Sequence, residues 1–324
     1  MKLYCNGFNL FRQLNINTPV LQGFSKAFEF EVIKQVCINH SYTVIITNTD
    51  CLVFYKEGIC NINSVVEKKL VLLASNDDEL IFTDDSGILY SSCLSNFSNI
   101  KTLFSSELGN SIINIASGSK LIVAYFSDGS IYKLPQKLSF RSNDVVDIKC
   151  GKEHCLLLDK TGNVYSFGKG SRGQLGHGKL EEEPEPRLIE CLAGIRIEKI
   201  SAGGWHSCAL SHEGDLYVWG WNSNGQLGLG KEEIDKHFVA VMASPAVVDF
   251  LEESWNATMV ACGSRHTIIL FDNNQLYGCG WNKYHQLNET DRENYHTLTH
   301  LHDFEDETVL GLHCGPWNSA VRCK

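Results

Sequence analysis

Residues 201–230 read SAGGWHSCALSHEGDLYVWGWNSNGQLGLG. The stretch 149–178, KCGKEHCLLLDKTGNVYSFGKGSRGQLGHG, shows the same order of residue types before it. The stretch 261–290, ACGSRHTIILFDNNQLYGCGWNKYHQLNET, shows it again afterwards. His154, His206 and His266 hold one place in the three copies, 52 and then 60 residues apart. A period near 50 marks a propeller or an array of small sheets.

Each copy has an internal order. A small residue and a glycine open it: Cys150-Gly151, Ala202-Gly203, Cys262-Gly263. The His follows, then an apolar run short enough for a strand. A turn comes next, with Gly162, Gly214 or Asn274 at one place. Gly and Asn accept the positive φ that tight hairpins demand. A second strand (164–167, 216–219, 276–279) leads into a glycine-rich loop closing on Gln174-Leu175, Gln226-Leu227 or Gln286-Leu287. Two short strands and a glycine-punctuated loop per period are the makings of a propeller blade.

The ends of the chain complete each other. Residues 1–14, MKLYCNGFNLFRQL, match the second half of a copy: Leu3-Tyr4, Gly7-Phe8-Asn9 and Gln13-Leu14 align with Leu276-Tyr277, Gly280-Trp281-Asn282 and Gln286-Leu287. Residues 314–324, CGPWNSAVRCK, match a first half, with Gly315 in the glycine place and Asn318 in the His place. One blade shared between the two ends closes a ring and leaves no free sheet edge. Between them, residues 15–148 are degenerate. Hairpin echoes persist at 44–54, 80–90 and 122–132, but the Gln-Leu loops are gone. Three degenerate blades, three clear ones and the shared one make seven, or six if one echo is false. The expectation is an all-β protein: a seven-bladed β-propeller, one domain over 1–324, its last blade closed by N- and C-terminal strands. Segment 231–258 is read as an outer strand plus an extra loop. Residues 298–304 and 308–312 are read as outer strands of the next blade.

Composition narrows the function. The 324 residues carry a net charge of −10. Such a surface repels a phosphate backbone, so direct, broad nucleic-acid binding is not expected and protein partners are. No apolar run has membrane-spanning length, and the first residues lack a signal-peptide pattern. The expected location is the nucleus, the cytoplasm or both. The 13 cysteines include no Cys-x-x-Cys pair and read as reduced thiols acting as small hydrophobes.

With glycines, His, Leu-Tyr, Gly-Trp-Asn and Gly-Gln-Leu-Gly in order, the unit resembles the repeat of the regulator of chromosome condensation family. The resemblance is strong over 149–324 and 1–14 and weak over 15–148. It implies a seven-bladed propeller with this closure. The strings AGGWHS at 202–207, YVWGWN at 217–222, CGSRHT at 262–267 and CGPWN at 314–318 are most similar to the compact, single-propeller form of the family. That form implies a non-enzymatic partner of a Jumonji-type 2-oxoglutarate dioxygenase, tied to chromatin and chromosome segregation, with histones or chromatin reached indirectly. The alternative the family implies is a guanine-nucleotide exchange factor for a Ran-like small GTPase, with 231–258 as the one candidate wedge.

Other chemistry finds little footing. His154, His206 and His266 sit one per blade, too far apart around a ring for ligand distances of about 2 Å to one ion. The expectation is that each bonds its own blade's backbone, with Gly151, Gly203, Gly263 and Gly315 as structural companions. Cys155 follows His154 on a strand, so the two point to opposite faces and cannot act as nucleophile and base. The loop glycines recur in every clear copy, so their role is the turn, not phosphate binding. No catalytic residue, metal or cofactor is expected. The candidate partner-binding residues are loop aromatics and arginines. Trp221 and Trp281 share one loop place with Phe8; Trp205, Arg265 and Trp317 share another, just before the His; Arg172 lies in the loop of the first clear copy. Trp and Arg dominate interface hot spots. The competing reading makes these rings fillers between blades.

Overall fold

A computed structural model describes residues 1–324 except 57, 67–69, 77–78, 94–95, 106–109, 231–239 and 251–253. Its central strands explain themselves. His154–Asp159, His206–Ser211 and His266–Phe271 are buried at every position. A strand covered on both faces has no reason to alternate, so it reads as a continuous apolar run. Its alternate side chains serve different neighbours. Leu156 and Leu158 pack toward the following blade, and Cys155 and Leu157 toward the preceding one.

The described residues form seven antiparallel sheets of four strands each. We number the blades along the chain: blade 1 is 35–61, blade 2 is 70–105, blade 3 is 112–141, blade 4 is 145–188, blade 5 is 197–247 and blade 6 is 257–303. Blade 7 orders its strands as Val309–Cys314, Asn318–Cys323, Lys2–Phe8 and Val20–Glu29. Lys2 pairs with Cys323, and Gly7 with Asn318, so the two chain ends are joined in one ladder. The seven-bladed ring with this closure is the expected architecture. All three hairpin echoes are real strand pairs.

One expectation needs correction. Residues 309–312 of the expected outer strand 308–312 belong to Val309–Cys314, the innermost strand of blade 7. The outer strand of blade 5, Val241–Val247, lies within the expected segment 231–258. Each clear blade also has an innermost strand just before its small-Gly pair: Val145–Cys150, Ile197–Ala202 and Ala257–Cys262. With half-exposed, mixed residues such as Ile197-Glu-Lys-Ile-Ser-Ala202, these strands lack the period that exposed the others.

The core is divided. Seven apolar clusters form, one at each blade–blade interface. A ring built this way is stabilised by nearest-neighbour contacts, and the closing interface removes the last exposed edge. An axial channel of about 320 Å³ passes between the innermost strands. Small residues such as Ser75, Ser117, Gly151 and Gly203 line it.

Candidate functional site

Two sets of loops meet on one face of the ring: the hairpins before each His and the longer loops ending in Gln-Leu. The repeat histidines pin this face from below. All three are fully buried, but they do not bond their own blade's backbone through the ring, as expected. His154 Nε2 lies 2.8 Å from Ser207 Oγ, His206 Nε2 is 3.0 Å from Thr267 Oγ1, and His266 Nε2 is 3.0 Å from Ser319 Oγ. Each partner belongs to the next blade. Each hydroxyl in turn donates to the carbonyl of a loop glutamine, Gln174, Gln226 or Gln286, at 2.7–3.0 Å. A hydroxyl has one proton to give, so Nε2 carries the ring proton and donates. Burial pushes the His154 and His266 imidazoles down to about 3, so they are neutral links. Asn318 also reaches across, donating to Asn39 O in blade 1 at 3.3 Å as well as to Phe8 O at 3.5 Å.

The glycine beside each His has a steric cause. A Cβ on Gly203 would stand 2.3 Å from its own His206 ring and 2.4 Å from Gly263 O of the next blade. Gly151, Gly263 and Gly315 are crowded in the same way, Gly315 by the Asn318 amide. Imidazole and glycine therefore form one unit, a ring folded over a bare backbone.

Above this layer lies the feature that carries the site. The candidate aromatics and arginines are neither scattered nor buried between blades. They form a half-buried belt in which cations and rings alternate. Lys152 Nζ stands 5.0 Å from the Trp205 ring centre. The Arg172 guanidinium lies 4.8 Å from Trp205 and 4.5 Å from Trp221. The Arg265 guanidinium lies 5.2 Å from Trp221 and 5.5 Å from Trp281. Trp205 and Trp221 also meet edge to face at 5.4 Å. Beyond Trp281 the belt becomes purely aromatic. Tyr284 packs on Trp281, Trp317 and Phe8 at 5.1–5.4 Å, and Trp317 meets Phe8 at 5.2 Å and His40 at 5.9 Å. The belt thus runs from blade 4 to the edge of blade 1. All six candidate residues, Trp205, Arg265, Trp317, Trp221, Trp281 and Arg172, lie in it.

Phe11 joins the belt through Phe8 and His40, each at 6.1 Å, and Lys152, Tyr284, Phe11 and His40 were not expected there. A signal for two of them exists. Arg172, Tyr284 and Phe11 each stand two residues before the loop glutamine, so aligning on that glutamine would have placed Tyr284 and Phe11 beside Arg172. Glu153 occupies the place of Trp205 and Arg265 in its own copy. Its carboxylate is held low mainly by Lys120, at 2.8 Å, and it also accepts from Trp205 Nε1 at 3.4 Å.

No Asp or Glu lines the axial channel among the described residues, and no group of three or more His, Cys, Asp or Glu there has the arrangement to hold a metal ion. The nominated wedge, 231–258, falls outside the described residues at 231–239 and 251–253. What is described of it includes the outer strand Val241–Val247 and the start of the innermost strand of blade 6.

Fold and closure define the class, a seven-bladed β-propeller, and residues 145–286 of it carry regulator of chromosome condensation repeats. The family's repeat pattern matches residues 161–210 and 213–270, and a second pattern for the same repeat matches 145–174, 197–226 and 259–286. Among individual proteins, the chain is 40% identical to mouse RCC1 domain-containing protein 1 over 208 residues, covering 55% of this chain and 55% of that protein. It is 36% identical to the human protein of that name over 231 residues, covering 61% of this chain and 60% of the relative. The match therefore spans little more than half the length of these curated relatives. The crystal structure of Prp20p from Saccharomyces cerevisiae superposes with a TM-score of 0.82 at 17% identity, over 99% of this chain and 91% of that one. At that identity the likeness speaks for the fold alone.

Proposed function

We propose that this propeller is a non-enzymatic adaptor that docks a chromatin-associated Jumonji-type 2-oxoglutarate dioxygenase and serves chromosome segregation. The observation that carries the interaction reading is the belt: six Trp and Arg residues from successive blades, gathered on one face and left half-exposed. Residues of these types, rigid and rich in contact area, are the usual anchors of protein interfaces. The similarity to RCC1 domain-containing proteins 1 and the resemblance read from the repeat support the choice of partner. The test is affinity capture from nuclear extract with the intact chain as bait. The expected result is recovery of such a dioxygenase, lost when Trp205, Arg265 and Trp317 are changed together to Ala in a variant that still melts cooperatively. Capture of no dioxygenase by the folded chain would remove the proposal.

A further inference from the structure

The belt has a property beyond its residue types, and it rests on the reading of this face as a docking surface. The guanidinium groups of Arg172 and Arg265 make no hydrogen bond and no ion pair among the described residues. Only their ring contacts hold them. Other cations of the same loops and their neighbours are paired: Lys169 with Glu182 and Lys120 with Glu153. Each free guanidinium is instead clamped between two indoles, Arg172 by Trp205 and Trp221, Arg265 by Trp221 and Trp281. Rings on two neighbours hold each group in place, and its N–H donors have no polar partner among the described residues. An immobilised guanidinium edge is a preorganised fork for a carboxylate, so little entropy remains to be lost on binding. Two such forks share one ring, Trp221, at 4.5 and 5.2 Å from its centre, with Lys152 continuing the row over Trp205.

We infer that the cationic end of the belt, Lys152–Arg172–Arg265, is a receptor for an acidic peptide segment of the partner, carrying carboxylates a few residues apart that each take one guanidinium. An extended segment places every second side chain on one side about 7 Å apart, within reach of two forks that share a single indole. The uncharged end, Trp281, Tyr284 and Trp317 over the buried Phe8, offers the adjoining apolar ground.

Single-stranded nucleic acid is the competing occupant for any row of arginines and aromatics. Two observations weigh against it. Base stacking needs open ring faces, and here the guanidiniums and neighbouring rings already lie against Trp205, Trp221 and Trp281. The chain's net charge of −10 opposes any anion, and it opposes a polyphosphate more strongly than a short segment carrying a few carboxylates.

The test uses the intact chain and three fluorescein-labelled probes: a short Glu/Asp-rich peptide, the same peptide with Gln and Asn in place of the acids, and an oligothymidylate. The acidic peptide should bind, and its affinity should fall as salt rises, because exposed charges are screened. Arg172→Gln with Arg265→Gln should weaken it at least tenfold. Arg172→Lys, which keeps charge and loses the fork, should weaken it severalfold. A cooperative melt shared by all variants shows that the fold is intact. Equal binding of the neutral peptide, a preference for the oligothymidylate, or undiminished binding by the double Gln variant overturns the inference. Dioxygenase capture is a separate readout. If capture depends on Trp317 but not on Arg172 and Arg265, the adaptor reading stands and the acidic-segment reading falls. If the acidic peptide binds and no dioxygenase is captured, the reverse holds.

Discussion

Blades 4 to 6 and blades 1 to 3 solve one mechanical problem, holding neighbouring sheets together around a ring, with different chemistry. In the first group a buried imidazole crosses to a hydroxyl of the next blade, which passes on to a loop carbonyl. In the second group the register puts Tyr42, Glu79 and Leu121 where the histidines stand. Tyr42 still crosses, giving its phenol proton to Asn76 O at 2.8 Å, and Asn39 reaches the same carbonyl at 2.6 Å. At Leu121 the polar link has been replaced by apolar packing. The receiving side changes in step. Ser207, Thr267 and Ser319 follow a blade that offers a ring N–H, whereas the equivalent Cys155 follows Leu121 and needs no acceptor. The lesson is that the interface is the unit under constraint, and the residue type is free to drift once both sides drift together.

The sharpest way to break this comparison is at the glycine. Gly203→Ala would drive a methyl group into both the His206 ring and Gly263 O. The expected loss is about 3 kcal/mol or more, as for an overpacked core, read by urea denaturation. Ile113, half-exposed on blade 3, is the contrast, and its change to Ala should move stability by about 0.5 kcal/mol or less.

The next largest effect separates the two kinds of tether. His206→Ala leaves Thr267 Oγ1 without its donor and opens a buried space, at an expected cost of about 2–3 kcal/mol. Tyr42→Phe removes the bond to Asn76 O and the longer one from Asn39 Nδ2, with little volume, at about 1 kcal/mol. If the two cost the same, the imidazole relay has no special place in the ring.

Acid should find the regular half first. His154 and His266 have pKa values near 3 in the folded chain against about 6.5 when unfolded. The unfolded chain therefore binds more protons. Stability is fully present above about pH 6.5 and falls as pH drops from there toward 3, by about 2 kcal/mol per histidine at pH 5. Replacing His266 with Asn, the residue its own family place carries at 318, should flatten that slope in pH-dependent melts even where it lowers the plateau.

The smallest effect is kinetic. Cys51 in blade 1 and Cys279 in blade 6 are both buried free thiols. Labelling in native buffer reports local opening. Cys51 should react first, because its blade lacks the His link, and equal rates would mean that both halves open together.

Much of this molecule could be read from the chain. The doubly buried middle strands advertise themselves as unbroken apolar runs. Gly162, Gly214 and Asn274 mark the turns, and their φ values of 92°, 91° and 60° confirm why those residues stand there. The complementary half-repeats at the two ends announced ring closure, because a half-blade has no stable edge of its own. The innermost strands were silent, since a strand facing the channel needs no apolar stripe. The outer strand at 241–247 was blurred by its Pro and by half-exposure.

For the site, the sequence determined which residue types recur at each loop place, and hence which rings and cations would share a face. Only the tertiary structure decided what they do there. A histidine's partner lies 53 to 61 residues away on another blade, and no local spacing encodes that distance. The same holds for the belt. Arg172 and Arg265 are far apart in sequence, and it is the placing of one blade beside the next that lays both against Trp221.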